Sequence, residues 1–257
     1  MNLSKHLLTT LLIAGAAGAA SAQSAANWTG FYLGANAGYG FGKSDVTTST
    51  VFSSTGYFAN SSVASISATG ADSVKPKGFE GGLTFGYNTQ TGHTVYGFEM
   101  DANTFNLKGD RSTTVVYPGF APSTYTINQT TKAEYLVTLR GRVGYADNRN
   151  LWFGTAGLAL TSIKIEDSFS DTFATAAESV SKSKSKTGWT LGAGYEYAAP
   201  DHWTFKAEIL YVDFGKVSVD GGTLTAYTPP TAYPTSAFTH TANLKSEVIR
   251  IGFNYMF

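Results

Sequence analysis

Charged residues recur at alternate positions inside otherwise apolar segments. Glu99 and Asp101 stand two apart in "FEMDA", Arg140 and Arg142 in "LRGRV", and Lys206 and Glu208 in "FKAEIL"; Glu80, Glu134, Glu196 and Arg250 occupy comparable places singly. In an extended chain, side chains two apart share a face, so each pair projects together. Neighbouring strands would bring Glu99 within reach of Arg140, Asp101 of Arg142, and Glu208 of Arg250. Opposite signs in a low-dielectric interior favour ion pairs, because an unpaired buried charge costs several kcal/mol. Two uses fit such a set: a plugged structural lumen, or a narrow path for ions.

Catalysis demands a nucleophile and a base at a defined spacing. Beyond the N-terminal segment the histidines are His93, His202 and His240, and no cysteine occurs. His93 and His202 fall in turn segments. His240 has Ser236 and Asp220 nearby in sequence but at no recognisable spacing. Metal ligation lacks a paired His or Cys. Gly81-Gly82, Gly221-Gly222 and "GANAGYG" precede no helix whose N-terminus would hold phosphate; inward glycines relieve crowding in a narrow barrel instead. These residues predict no enzymatic activity, no metal and no cofactor. The 18 basic and 18 acidic residues balance, which gives no support for nucleic acid as a partner. "SKSKSK" (181–186) reads as a solvated strand rim or as a contact for lipopolysaccharide phosphates.

The elements that must position these charges are strands. The composition is rich in Gly, Ser, Thr, Tyr and Phe, which favours strands and turns. Eight segments alternate in the required way: 30–43, 77–88, 94–105, 132–145, 151–163, 187–198, 203–214 and 244–257. Short turns at Gly92, Asp147-Asn148 and Pro200-Asp201 separate some of them. Four long Ser/Thr-rich stretches, 44–75, 107–131, 164–186 and 215–243, separate the others and carry Tyr57, Tyr117, Tyr125, Tyr227 and Tyr233 as exposed-type aromatics. A soluble sandwich has no reason to place every long connection at one end. An outer-membrane barrel does, with short periplasmic turns and long external loops.

Which face meets which solvent follows from size. In "WTGFYLGANAGYGFG", Phe31, Leu33, Ala35, Ala37, Tyr39 and Phe41 share one side, while Tyr32, Asn36 and glycines share the other. The interior of an eight-stranded barrel is too narrow for the apolar rings of every strand. Hydrocarbon outside and polar filling inside satisfies both sets. The strand 151–163 alternates least cleanly. Aromatics near the short turns, namely Trp28, Tyr87, Tyr96, Tyr145, Trp152, Tyr197, Trp203 and Tyr255, would form a periplasmic girdle.

Lys5 and His6 precede a short apolar run ending in Ala20-Ser21-Ala22, which predicts a cleaved signal peptide over 1–22 and a barrel domain over 23–257. The predicted fold is an all-β, transmembrane, antiparallel up-and-down β-barrel of eight strands.

"NWTGFYLGANAGYGFG", "AEILYVDFG" and the terminal "VIRIGFNYMF" resemble the Omp25/Omp31 group of small alphaproteobacterial outer-membrane proteins, among the opacity-type porin-like barrels. The resemblance covers the chain after the signal segment, apart from the long loops. It implies insertion by the barrel-assembly machinery, with Ile249, Ile251, Phe253, Tyr255 and Phe257 similar to the signal that machinery reads. Outer-membrane lipids and lipopolysaccharide are the implied surroundings. A structural surface role leads, with a small porin or a loop-borne adhesin or receptor as alternatives; the loops match no pattern that names a ligand.

Overall fold

The computed structural model describes residues 26–257; the expected signal peptide, residues 1–22, lies outside them. In chain order the elements are β1 (Gly30–Thr50), α1 (Asn60–Gly70), β2 (Asp72–Val74), β3 (Lys77–Thr91), β4 (Thr94–Val116), β5 (Thr124–Asp147), β6 (Asn150–Asp171), β7 (Ala177–Ala198), β8 (Trp203–Asp220), β9 (Leu224–Ala226), β10 (Thr231–Tyr233) and β11 (Phe238–Met256). Antiparallel pairing runs β1–β3–β4–β5–β6–β7–β8–β11 and back to β1, so the sheet closes on itself. The short strands β2, β9 and β10 attach at the long-loop end.

The outer face carries the apolar set. Phe31, Leu33, Phe79, Leu83, Phe98, Leu139, Leu191, Phe205, Ile251 and Phe253 are all exposed. The fifth expected strand resolves cleanly: Leu151, Phe153 and Ala159 are buried, while Trp152, Leu158 and Leu160 point outward.

The strands are far longer than the sequence suggested. β4 and β5 have 23 and 24 residues, whereas about 9–11 suffice to cross a bilayer. Most of 107–131 and 164–186, expected as loop, is therefore ladder that carries the barrel past its apolar belt. The Ser/Thr-rich upper segments alternate polar residues outside with mixed residues inside, so the apolar contrast fades although the hydrogen bonding continues. The expected loop 44–75 holds α1, which the sequence reading lacked. Its Ile66 is fully buried, and Ser65 and Thr69 bond the Tyr125 hydroxyl at 2.7 and 2.8 Å.

Register shifts break the alternation where β5 meets its neighbours, between Ala133 and Val137 on the β6 side. Ala133 and Leu136 both point inward, so Glu134 and Tyr135 between them both leave the interior. Two residues against one is a β-bulge. A second shift falls near Gly215, whose φ of 65° suits only glycine without strain. Above it β7 and β8 part, since they pair only through Trp189–Ala198 against Thr204–Asp213. The ammonium groups of Lys182, Lys184 and Lys186 bridge the seam to the carbonyls of Asp220, Ser218 and Lys216, at 3.0, 2.7 and 2.9 Å.

Candidate functional site

The interior is layered. At the short-turn end, Trp28, Val95, Ala146, Leu151, Phe153 and Met256 form an apolar floor. At the long-loop end, Phe58, Ile66, Tyr117, Tyr125, Phe169 and Phe238 form an aromatic cap. A larger, mainly aliphatic layer, including Leu107, Leu136, Leu210 and Leu244 with Phe105 among them, fills the barrel below that cap. Between floor and aliphatic layer lies the charge cluster.

Arg140 sits at its centre. Its guanidinium meets Glu99 in a very short contact, Asp101 at 2.8 Å and Glu208 at 2.5 Å. It also donates to Thr138 and Thr155 at 3.0 and 2.9 Å. Arg250 reaches Glu208 at 2.7 Å and Asp101 at 3.1 Å from the opposite wall. Lys206 donates to Glu99 at 2.8 Å, and so does the Tyr32 hydroxyl. Arg142 pairs closely with Glu196 and lies 3.9 Å over the Phe153 ring. Glu196 also accepts from Asn254 at 2.8 Å. The side chains of Arg140, Glu99, Asp101 and Glu208 have no exposure to solvent.

The close approach of the walls depends on glycine. A Cβ on Gly38 would lie 2.5 Å from the Ile249 carbonyl and 2.7 Å from the Arg250 Cβ. One on Gly86 would stand 2.3 Å from the Tyr32 ring. Both distances are far below van der Waals contact, so the large polar side chains occupy the space that these glycines leave.

Of the expected lumen residues, the structure gathers Glu99, Asp101, Arg140, Arg142, Lys206, Glu208 and Arg250 into this cluster. Glu80 is buried at its edge, 3.9 Å from Arg250, and neither of its oxygens has a hydrogen-bond partner among the described residues. Two expectations need correction. Glu134 lies outside the barrel, because the β5 bulge turns it outward. Arg142, expected opposite Asp101, reaches across to Glu196 instead, and Asp101 is shared by Arg140 and Arg250.

Among the expected girdle residues, Tyr96, Tyr145, Trp152, Tyr197 and Trp203 are exposed near the short turns, and Tyr87 and Tyr255 are half-buried there. Trp28 departs from the set: it is fully buried in the floor, because the chain before β1 folds into the barrel mouth. Of the terminal-strand residues, Ile249, Ile251, Phe253 and Phe257 face outward and Tyr255 is partly covered. The loop tyrosines also divide. Tyr117 and Tyr125 are buried in the cap, while Tyr227 is exposed.

Sequence reasoning missed one site. His240 is fully buried above the aliphatic layer, with Nδ1 3.1 Å from Asp167 and Nε2 3.4 Å from Glu178. Its partners lie on β6 and β7, in segments expected to be loop, so no pattern could pair them. The hydroxyls of Tyr57 and Tyr117 both donate to Asp171 at the rim, at 2.6 and 2.9 Å.

A closed antiparallel barrel that shows apolar rings to its surroundings and seals ionised groups within is an integral outer-membrane β-barrel protein. Residues 10–257 match the family described as "Outer membrane protein beta-barrel domain", and the chain belongs to that family. The 31 kDa outer-membrane immunogenic protein of Brucella melitensis is 35% identical over 236 residues, covering 90% of this chain and 84% of that protein. The 22 kDa outer membrane protein of Rhizobium leguminosarum is 30% identical over 78% of this chain and 71% of its own. The 25 kDa outer-membrane immunogenic protein of Brucella abortus is 28% identical over 90% and 80%. Among solved structures, OprG of Pseudomonas aeruginosa aligns over 90% of this chain and 98% of its own, at 12% identity and a TM-score of 0.46. The protein resides in the outer membrane, in the group of the 25 and 31 kDa proteins.

Proposed function

We propose that the protein is an eight-stranded, non-conducting barrel with a structural and surface role and no catalytic activity. Residues 1–22 are removed on export. The short turns face the periplasm, and the long connections face outward. The barrel-assembly machinery reads the final strand, from Ile249 to Phe257. The observation that carries the reading is the sealed cluster around Arg140, with an apolar floor below it and aliphatic and aromatic layers above. An ion crossing this interior would have to shed its water beside Leu, Phe and Val side chains, and desolvating a charge there is prohibitive. Planar-bilayer recording tests this. A silent membrane is expected, and steady openings that change in Arg140→Ala would establish a porin instead.

A second reading, a loop-borne contact surface, is favoured by the apolar crown. Phe52, Phe120, Phe173 and Tyr227 are exposed at the loop tips, with the Phe120 and Phe173 rings 5.3 Å apart. Clustered exposed aromatics mark interaction surfaces. Bacteria displaying Phe120→Ser with Phe173→Ser should adhere less to host-cell or matrix surfaces; equal adhesion would remove this reading.

A further inference from the structure

Lys43, Lys77, Lys108, Lys132, Lys164, Lys216 and Lys245 lie on the outer wall, just beyond the apolar belt at the long-loop end, whereas Lys182, Lys184 and Lys186 stand in register with the inward Ile165, Ile163 and Thr161 and reach into the seam. Lys43 follows the exposed Phe41 and Lys77 precedes Phe79, each two residues away on the same face. Among the described residues the outer wall at the short-turn end carries no lysine. The barrel thus carries its outer-wall lysines at one end, interspersed with carboxylates such as Asp45, Asp110 and Glu166.

On one side the rim becomes a row. Lys77 is the register partner of Lys108, Lys108 of Lys132, and Lys132 of Lys164, across four consecutive strands. Directly opposed residues in an antiparallel pair hold their Cβ atoms about 4.5–5.5 Å apart, and like charges there repel. Glu166 relieves one end, meeting Lys132 closely and Lys164 at 2.6 Å, and the outward Glu134 adds its charge beside Lys164. Among the described residues neither Lys77 nor Lys108 has a carboxylate within ion-pair distance. Asp110, two residues beyond Lys108 on the outer face, is not paired with it either. The lysines of "SKSKSK" are otherwise engaged, on the carbonyls of β8.

A row of ammonium groups at the edge of an apolar belt is placed where lipid headgroups begin. Its four-strand width suits an anion with several separated phosphates better than a single carboxylate. Lysine binds phosphate as a point charge and needs no fixed fork geometry. We propose that Lys77, Lys108, Lys132 and Lys164 form a docking site for the phosphates of lipopolysaccharide in the outer leaflet. The proposal rests on the outward orientation of the long connections given above.

The test titrates the detergent-folded protein with bisphosphorylated lipid A and reads binding by native mass spectrometry. Each basic contact at a membrane surface is worth about fivefold, so Lys77→Gln with Lys108→Gln should weaken binding about twenty-five-fold. Lys216→Gln with Lys245→Gln, on the far wall, should change it little. The wild-type protein should bind dephosphorylated lipid A weakly. Equal binding of the two lipids would overturn the proposal without recourse to any variant, and so would equal losses in the two double variants. Slower gel migration after boiling verifies that each variant is folded. Orientation is read separately, by labelling Gly119→Cys on intact cells with an impermeant maleimide. Labelling is expected; if the label is excluded, the orientation fails and the site cannot meet the outer leaflet.

Discussion

Replacing Arg140 by Met removes one guanidinium from the middle of the charge cluster and leaves Glu99, Asp101 and Glu208 facing one another. All three carboxylates lie within 2.8 Å of that group and none is exposed. Arg250 and Lys206 retain contacts to Asp101, Glu208 and Glu99, so the deficit is one positive charge and not the whole cluster. Breaking a buried pair by deleting one partner costs about 3–5 kcal/mol. A loss of about 4 kcal/mol lowers the folding constant roughly a thousandfold. Urea titration of the protein in phosphocholine vesicles, followed by tryptophan emission, measures it. Adding Glu99→Gln to Arg140→Met should recover part of the loss, since contacting residues couple by about 0.5–3 kcal/mol. A loss under about 1 kcal/mol for Arg140→Met is the size found for exposed pairs. That result would mean a water-filled lumen and would refute the sealed interior.

Glu80→Gln should change stability by under about 1 kcal/mol, as the Glu80 carboxylate accepts no hydrogen bond among the described residues. Glu99→Gln, which breaks contacts to Arg140 and Lys206, should cost several times more in the same titration; equal losses would contradict the assigned pairing. Gly38→Ala should abolish the heat-modifiable folded band on gels, whereas Gly141→Ala should keep it, because its Cβ meets only the Ala156 carbonyl at 3.8 Å. His240 lies beyond the apolar belt, where burial acts to lower its pKa but Asp167 and Glu178 outweigh burial and push it up to about 9. A pKa raised by folding stabilises fully below about 6.5 and loses that contribution as pH climbs through about 9, a change of at most about 3 kcal/mol. The difference in stability between the wild type and His240→Asn should therefore shrink between pH 6 and pH 10; parallel curves would show that the ring is neutral.

The orientation of the strands was readable because a bilayer demands it locally. Each residue of "GFYLGANAGYGF" meets either lipid or lumen, and period-two alternation records that choice without knowledge of any partner strand. The same logic brought Glu99 to Arg140 and Glu208 to Arg250, since β4–β5 and β8–β11 are adjacent hairpin or closing pairs. It failed at Glu134, where a bulge inserts an extra residue, and at Trp28, which precedes the first strand and has no ladder to fix its face. It also failed for the upper strands. Beyond the membrane, water wets the outer wall, so Thr126 and Ser168 alternate with the buried Ile127 and Phe169 without an apolar stripe to mark the ladder.

Sequence alone determined the barrel class, the face of nearly every belt residue and the presence of an inward ionised set. Tertiary structure decided the rest: which cation serves which carboxylate across the lumen, as with Arg250 and Asp101 or Arg142 and Glu196, how far the wall extends, and that α1 and the aromatic cap close its mouth. The first group depends on each residue's own solvent. The second depends on closure, because the circumference brings together side chains from strands that are neither sequential nor paired, and their distances exist only once the ring is complete.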